Sequence, residues 1–383
     1  MSLDEELSKE QLSKKEKLGK LFALLERSGI DVDDIGRVQK LSVWQGFLKN
    51  DEGEPVLVDL ASVVLSPKWE EDIQYPVVQP AAPTVIRPVA SKPKTTENKV
   101  TVILPDPQIG YRRMGDDSLI PMHDEQAISV ALQLMRFIRP DVVVNLGDFI
   151  DLPEWSTKFL VLPEFVLTTQ PSIDRAHKFL AEQRATAGDD CQIILIGGNH
   201  DARLPNLVAR NAMAAMRLRQ ANMPQGFPVL SMPFLLRLEE LKVQYFGAYP
   251  AARVRIADGG DGQTPLYAIH GERLDVQKVA KNERQSFVQG HIHRISVHTE
   301  TYEVSDAMEQ VVAFSPGCLC RVDGVVPSTK SGTNDSGMPI QRFESWQQGI
   351  AVVTEMPNGR WTYEIVPIIK GEAIYRGRLF TAL

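Results

Sequence analysis

From about residue 99 onward, short apolar runs alternate with longer stretches in which apolar residues recur every three or four positions. Val100–Leu104, Val142–Leu146 and Cys191–Ile196 are runs of the first kind, short and rich in β-branched residues, as strands buried on both faces require. Between them, residues 124–139 carry Ile128, Ala131, Leu132, Met135 and Phe137 or Ile138 at helical spacing, with Pro140 as the stop, and a second helix is expected over about 172–187. Pro265–Ile269 and Ser286–Gln289 add two later strands. In the tail, Gly349–Thr354 and Trp361–Val366 flank the turn Pro357-Asn358-Gly359 and predict a hairpin at the edge of a second sheet. Strands alternating with helices predict an α/β layer architecture. Polar clusters follow the strands: Asp106-Pro107-Gln108, Gly147-Asp148-Phe149-Ile150-Asp151, Gly198-Asn199-His200-Asp201, His270-Gly271 and Gly290-His291-Ile292-His293. Loops at the carboxyl ends of strands gather at one edge of a sheet, so these clusters are expected to share a cleft.

The first hundred residues follow a different pattern. Leu7, Leu12, Leu18, Leu21, Phe22 and Leu25 alternate with Lys and Glu close to helical spacing from about Glu5 to Glu26, and Ser28-Gly29 stops the run. Asp31–Gly36 resembles a capped short turn, and Val43–Phe47 with Val56–Leu60 suggests a small hairpin-containing unit. Between Tyr75 and Lys94 the prolines at 76, 80, 83, 88 and 93 read as an extended, semi-rigid linker. The expected organisation is a helical or α+β appendage over 1–72, a linker over 73–98 and a catalytic domain over 99–383.

Composition narrows the class. With 383 residues, 43% hydrophobic and 24% charged, the chain can bury a sizeable core and is neither disordered nor collagen-like over most of its length. No apolar run is long enough to span a bilayer, and Met1-Ser2-Leu3-Asp4-Glu5-Glu6 lacks the basic-then-apolar pattern of a secretory signal, so a cytoplasmic protein without a membrane partner is expected. Three cysteines, Cys191, Cys318 and Cys320, are too few for a disulfide framework; Cys318-Leu319-Cys320 is more readily a packing element than a metal site. The net charge of -7 gives no overall attraction to nucleic acid, so any such contact must come from a local basic patch.

The clusters carry the chemistry. Two divalent ions about 3.5–4 Å apart can hold both the attacking and the phosphoryl oxygens of an in-line displacement, and such a pair needs a bridging carboxylate. Asp148, projected by the turn at Gly147, is the candidate bridge. Asp106 and Gln108, two apart on an extended segment, can offer oxygens to one ion, Asn199 offers an amide oxygen to the other, and His270, His291 and His293 supply nitrogen. Singly, each cluster is an ordinary turn, loop end or core histidine; their joint occurrence after strands points to a metal centre. His123, His177 and His298 have no such context and read as structural.

The order of motifs resembles the calcineurin-like metallophosphoesterases, whose pattern runs Asp-x-His, Gly-Asp-x-x-Asp, Gly-Asn-His-Asp/Glu, His, Gly-His-x-His, and the likeness spans Asp106 to His293. It implies a four-layer α/β/β/α sandwich. It also implies a dinuclear centre with Asp106, Gln108, Asp148 and His293 on one ion and Asp148, Asn199, His270 and His291 on the other. His200 is then not a ligand: it faces the scissile phosphate and assists the leaving oxygen, while Asp151 fixes its tautomer. Gln108 departs from the pattern, which usually has His there; a harder, weaker oxygen donor favours Mn²⁺ over Zn²⁺, with Mg²⁺ or Fe²⁺ as further alternatives.

Asp151 is followed by Leu152-Pro153-Glu154-Trp155 rather than the Arg-Gly of the family's protein phosphatases, which disfavours that substrate class. Asp201 and the spacing to His270 are similar to the nuclease and phosphodiesterase branch, which includes the Mre11/SbcD-type exonucleases. The helical start, the Pro-rich linker and the tail around Cys318–Gly324 and Trp346–Gly349 more loosely resemble metallophosphoesterases encoded by actinobacterial phages. The resemblance implies hydrolysis of phosphodiesters in nucleic acid, DNA or RNA, or in (cyclic) nucleotides, by in-line attack of hydroxide. A small-molecule phosphomonoesterase and a non-catalytic scaffold are the alternatives. Arg203 could hold a phosphate oxygen or pair with a carboxylate. Arg203, Arg210, Arg217 and Arg219 are expected on one helix, Pro205 to Gln220, as a backbone-tracking face or simply a solvated one. The Gly-, Ser- and Thr-rich loop from Asp323 to Arg342 is a candidate lid or a plain surface insertion.

Overall fold

The computed structural model describes residues 14–29, 35–50, 52–67, 97–156, 161, 163–223, 225–260, 262–304, 307–324, 326 and 343–382. The chain divides into two compact units, Met1–Thr84 and Val85–Leu383. In the first, helix α1 (Lys14–Arg27) buries Leu21 and Leu25, which lie one turn apart on a single face. Strands β1 (Ile35–Lys49) and β2 (Pro55–Pro67) form an antiparallel hairpin, continuous from Lys40↔Val64 to Lys49↔Pro55 and irregular between Ile35 and Lys40. The Asn50 side chain accepts from the amides of Glu52 (3.1 Å) and Glu54 (2.8 Å) and so closes the turn. Residues 5–13 of the expected helix, the turn at 31–34 and the Pro-rich stretch from Tyr75 to Lys94 lie outside the described residues.

In the second unit, β3 (Lys99–Leu104), β6 (Val142–Asn145), β7 (Gln192–Ile196) and β8 (Val243–Phe246) run parallel and adjacent in chain order. Their crossovers contain α2 (Glu125–Ile138) and α3 (Thr169–Ala187). Before α2, a small ribbon pairs β4 (Tyr111–Arg113) with β5 (Leu119–Pro121). Asp124 caps α2, its carboxylate accepting from the amides of Gln126 (2.9 Å) and Ala127 (3.1 Å), and Arg139 ends it in a left-handed conformation ahead of Pro140. After β7 come α4 (Arg203–Asn211) and the short α5 (Met232–Leu235).

A second sheet of five strands has the order β12-β13-β11-β10-β9. Its members are β9 (Arg253–Ala257), β10 (Leu266–Ile269), β11 (Ser286–Gln289), β12 (Ile295–Val304) and β13 (Ala307–Pro316), with α6 (Val276–Glu283) crossing from β10 to β11. The tail supplies β14 (Gln348–Glu355), β15 (Trp361–Ile368) and the terminal ribbon β16 (Glu372–Tyr375) with β17 (Arg378–Thr381).

Two-residue alternation along the strands sorts side chains into layers. Val102, Leu104, Val143, Ile193, Leu195, Ile350 and Val352 face one way, into a core shared with Ile128, Ala131 and Met135 of α2 and Phe179 and Leu180 of α3. Ile103, Val144, Ile194, Ile196, Ala351 and Val353 face the other way and meet Leu266, Ala268, Val288, Val312 and Phe314 of the second sheet. The outer face of that sheet gives Val311 and Ala313 to Val276 and Ala280 of α6. The result is the four-layer α/β/β/α sandwich. Polar anchors tie the layers: Asn145 of β6 and Gln183 of α3 exchange two amide hydrogen bonds of 3.0 Å. Buried Arg184 donates to the carbonyls of Leu241, Gly188, Cys191 and Lys242 at 2.6–3.0 Å.

Two expectations are corrected. The tail hairpin joins the first sheet, whose order is β15-β14-β3-β6-β7-β8, because the alternating Ile350/Ala351/Val352/Val353 pattern fills both faces beside β3. The arginine-bearing helix ends at Asn211, short of the expected Gln220. Leu204 and Val208 bury its inner face, whereas Met213, Met216 and Leu218 stay exposed, so no packing sustains the helix further. Arg217 and Arg219 therefore lie beyond it, Arg217 with φ of 63°. Among the described residues, no helix is long and apolar enough to cross a membrane.

Candidate metal centre

The donor clusters sit on the loops that leave β3, β6, β7, β10 and β11. Backbone pairing continues past the strand ends and aligns these loops: the Gln108 amide donates to the Asp148 carbonyl at 2.9 Å and the Ile109 amide to that of Phe149 at 3.0 Å. Asp106 (φ 38°), Gln108 (43°), Asp148 (43°), His291 (68°) and His293 (53°) all hold left-handed backbone. For non-glycine residues each such conformation costs on the order of 1 kcal/mol or more and persists where the surroundings fix it, as at functional sites. The neighbouring glycines have no room for a side chain: a Cβ on Gly198 would run into the amide and carboxylate of Asp148, and one on Gly290 into the carboxylate of Asp106.

Around these loops, nitrogen and oxygen donors converge. His270 Nε2 lies 3.3 Å from Asp148 Oδ1 and 3.0 Å from Asn199 Oδ1. His293 Nε2 lies 3.5 Å from Asp106 Oδ1, and the Gln108 side-chain amide 3.3 Å from the same nitrogen. Donor atoms of Asp148, His270 and His291 fall within 4.8 Å of one another, and so do those of Asp106, Asp148 and His293. Asp148 belongs to both groups. His270 Nδ1 points at the Leu146 carbonyl, 2.8 Å away, which places a hydrogen there and turns Nε2 toward the cluster.

Burial opposes charge throughout this cluster, yet His200 and His270 hold the Asp148 carboxyl well below the usual carboxylate range. Burial likewise disfavours the charged ring of His270, but Asp148 and then Asp106 raise it to about 9; His293, beside Asp106, is also raised to about 9. His291 moves the other way, to about 4, through burial and the neighbouring His270. Two buried oxygens, Asp106 Oδ2 and Gln108 Oε1, have no hydrogen-bond partner. Buried acceptors left unpaired are costly, and a cation is the group that would satisfy two of them at once beside a histidine nitrogen. The donors present therefore fit a pair of divalent ions: oxygens with one imidazole on one side of Asp148, imidazoles with an amide oxygen on the other.

His200 lies at the edge of this cluster, 3.7 Å from Asp148 through Nε2, and its amide donates to Asp148 Oδ1 at 2.8 Å. Its Nδ1 is hydrogen-bonded to Asp151 Oδ1. Arg203 donates to the Asp151 carbonyl at 2.5 Å, lies 3.3 Å from its carboxylate, and brings Nη2 to 3.1 Å from His200 Nε2. Arg203 thus has a carboxylate partner, one of the two roles open in the sequence. A guanidinium only donates, so His200 carries its ring hydrogen at Nδ1, toward Asp151. Burial works against the Asp151 carboxylate, but His200 and Arg203 keep its pKa lowered.

Asp201 has a role that its place in the motif did not disclose. Fully buried, it accepts from the amides of Phe149 and Ile150 at 3.1 Å each and of Gly198 at 2.8 Å, clamping the Asp148 loop to the Asn199 loop. Its signal in the sequence is only an acidic residue after a histidine; two of its partners, Phe149 and Ile150, lie 52 and 51 residues upstream. His123, His177 and His298 are engaged elsewhere, with Glu125 (2.9 Å), the Leu236 carbonyl (3.0 Å) and Glu300 (2.7 Å). Of the Asp323–Arg342 loop, only Asp323, Gly324 and Val326 are among the described residues.

Residues 122–310, just under half of the chain, match the family model of the calcineurin-like phosphoesterases. The matched stretch contains Asp148, Asp151, Asn199, His200, His270, His291 and His293, whereas Asp106 and Gln108 precede it. No curated protein matches the chain. Among solved structures, a dimetal phosphatase from Danio rerio is similar at 12% identity and a TM-score of 0.32, over 74% of this chain and 99% of its own. Over residues 122–310, then, the chain is similar to the calcineurin-like phosphoesterases, and the donors that converge around Asp148 fall largely within that stretch.

Proposed function

We propose that this protein is a metal-dependent phosphodiesterase whose substrates are nucleic-acid or (cyclic) nucleotide phosphodiesters. The observation that carries the reading is the sharing of Asp148 between two donor groups with His200, Asp151 and Arg203 at their edge. Asp106, Gln108, Asp148 and His293 would hold one ion and Asp148, Asn199, His270 and His291 the other. When bound, such ions polarise the phosphoryl oxygens and activate water. Manganese is the expected ion, because Gln108 supplies an oxygen where an imidazole would favour zinc. His200 would take up a proton at Nε2, in place of the Arg203 contact, before passing it to the departing oxygen, and Asp151 would hold the ring through Nδ1 for that transfer.

Two features favour a diester. Arg203 is engaged by Asp151 and His200 and is not a free clamp for a dianionic phosphate. Residues 202–238 contain five arginines (203, 210, 217, 219 and 237) and no Asp or Glu, in a chain whose net charge is -7. The same segment exposes Met213, Met216, Leu218, Met223 and Phe227. Cationic side chains interleaved with exposed apolar ones suit a polynucleotide, whose phosphates and base faces need both. Residues 1–72 are then an appendage, and 73–98 a linker, to the catalytic domain at 99–383.

The test is hydrolysis of bis-p-nitrophenyl phosphate against p-nitrophenyl phosphate by metal-stripped protein reloaded with Mn²⁺. The diester should be preferred, and His200→Ala should abolish turnover while leaving metal content near normal. A large preference for the monoester overturns the reading.

A further inference from the structure

Cys318 and Cys320 lie in isolated β-bridges with Gln348 and His123 on either side of a bend at Leu319, and both thiols stand beside His293. Cys320 Sγ lies 3.8 Å from His293 Nδ1, and Cys318 Sγ, Cys320 Sγ and a nitrogen of His293 all fall within 4.8 Å of one another. All three side chains are buried. The segment is held in place by its backbone: the amides of Leu319 and Cys320 donate to the Asp106 carbonyl at 3.2 and 3.1 Å, and that of Cys318 to the Gln347 carbonyl at 3.0 Å. His293 is fixed from the other side by Trp346, whose ring packs edge-on at 4.4 Å. Because Nε2 faces Asp106 while Nδ1 faces sulfur, one imidazole separates an oxygen-rich pocket from a sulfur-rich one.

We propose that Cys318, Cys320 and His293 Nδ1 form a separate binding site for a thiophilic divalent ion of the zinc and cadmium class. Metal–sulfur bonds of about 2.3 Å and metal–nitrogen bonds of about 2.0–2.1 Å bring tetrahedral donors to separations close to those already present, so small side-chain shifts complete the site. Soft thiolates select such ions against manganese and magnesium, which the neighbouring oxygens suit. On binding beside an occupied Nε2, two thiol protons and the Nδ1 proton of His293 pass to solvent, two metal–sulfur bonds and one metal–nitrogen bond form, and the ring is left as imidazolate, with no change of oxidation state. Two thiolates balance the ion's charge, and the single negative charge of the imidazolate is shared between the two ions it joins. Occupancy uses the second nitrogen of a side chain already assigned to the hard-donor centre, which couples the two sites.

The test is cadmium titration of Mn²⁺-loaded protein, read by ultraviolet sulfur-to-metal charge-transfer absorbance and by bound cadmium after dialysis. The wild type should develop the band to saturation at one ion per chain. Cys318→Ala and Cys320→Ala should each lose it with at least tenfold weaker binding, and Cys191→Ala should keep it. Cys318→Ser and Cys320→Ser give the same comparison should an alanine variant fold poorly. No band in the wild type, or equal cadmium in wild type and Cys318/Cys320 variants, overturns the site. Both readouts are independent of turnover, so the site and the diesterase reading stand or fall separately.

Discussion

The carboxylate of Asp201 accepts the Gly198 amide at 2.8 Å while its other oxygen takes the amides of Phe149 and Ile150, so one buried acid joins two donor loops. Burial, and then the negative charge of Asp148, push its pKa up to about 6 despite these bonds. A raised folded-state value means that the neutral acid is favoured in the fold: its stabilisation is fully present below about pH 3.9 and is lost as pH rises through about 6. Metal-free Asp201→Asn should lack that component, up to about 2–3 kcal/mol over this window. Denaturant unfolding of both proteins at pH 4 and pH 7 tests it; equal differences at the two pH values would contradict it.

Metal uptake should release protons. With His270 and His293 both raised to about 9, the metal-free rings are charged at neutral pH and must give up a proton each to bind an ion. Calorimetric titration with Mn²⁺ at pH 7.5 in buffers of different ionisation enthalpy should report about two protons released per chain, and affinity should strengthen as pH rises toward 9. Uptake without proton release would refute this.

Gly198→Ala should damage the centre more than its single methyl suggests. The Cβ would meet the Asp148 amide and carboxylate and come within 2.9 Å of His270 Cε1, and the contacts on the Asp148 side are backbone and a buried acid. Overpacking of this kind costs about 1–3 kcal/mol. Melting temperature and bound manganese should both fall; a variant with wild-type metal content would show that the loops have slack.

Gln108→His should tilt metal preference toward zinc. The amide oxygen, which has no partner, would be replaced by imidazole nitrogen beside His293. Competition dialysis should show zinc gaining roughly tenfold over manganese. An unchanged ratio would place Gln108 outside the coordination sphere.

Much of the sandwich is legible locally because strands with continuous apolar runs and helices with three-to-four spacing each carry their own period. Donors directly after those runs, such as Asp106 after Leu104 and His291 after Gln289, are legible for the same reason. What escapes are facts about residues that meet only after folding. The tail hairpin has a strand pattern but nothing in it names the partner sheet. The arginine helix has sequence periodicity to Gln220, yet lacks core contacts beyond Val208 to sustain it. Cys318 and Cys320 suggest packing until His293, twenty-seven residues before Cys320, is found beside them.

The placement of β14 beside β3 bears on how the chain is made. Lys99–Leu104, which leads into Asp106, finds its antiparallel neighbour in Gln348–Glu355, some 250 residues later. Until the ribosome has delivered that segment, β3 presents bare amides and carbonyls along one side, open to wrong partners. Closing so long a loop is slow, and the sheet beneath the donor loops is finished only once that later segment has been made. A carboxyl-terminal truncation before Gln348 would therefore be expected to yield insoluble protein rather than a smaller working enzyme.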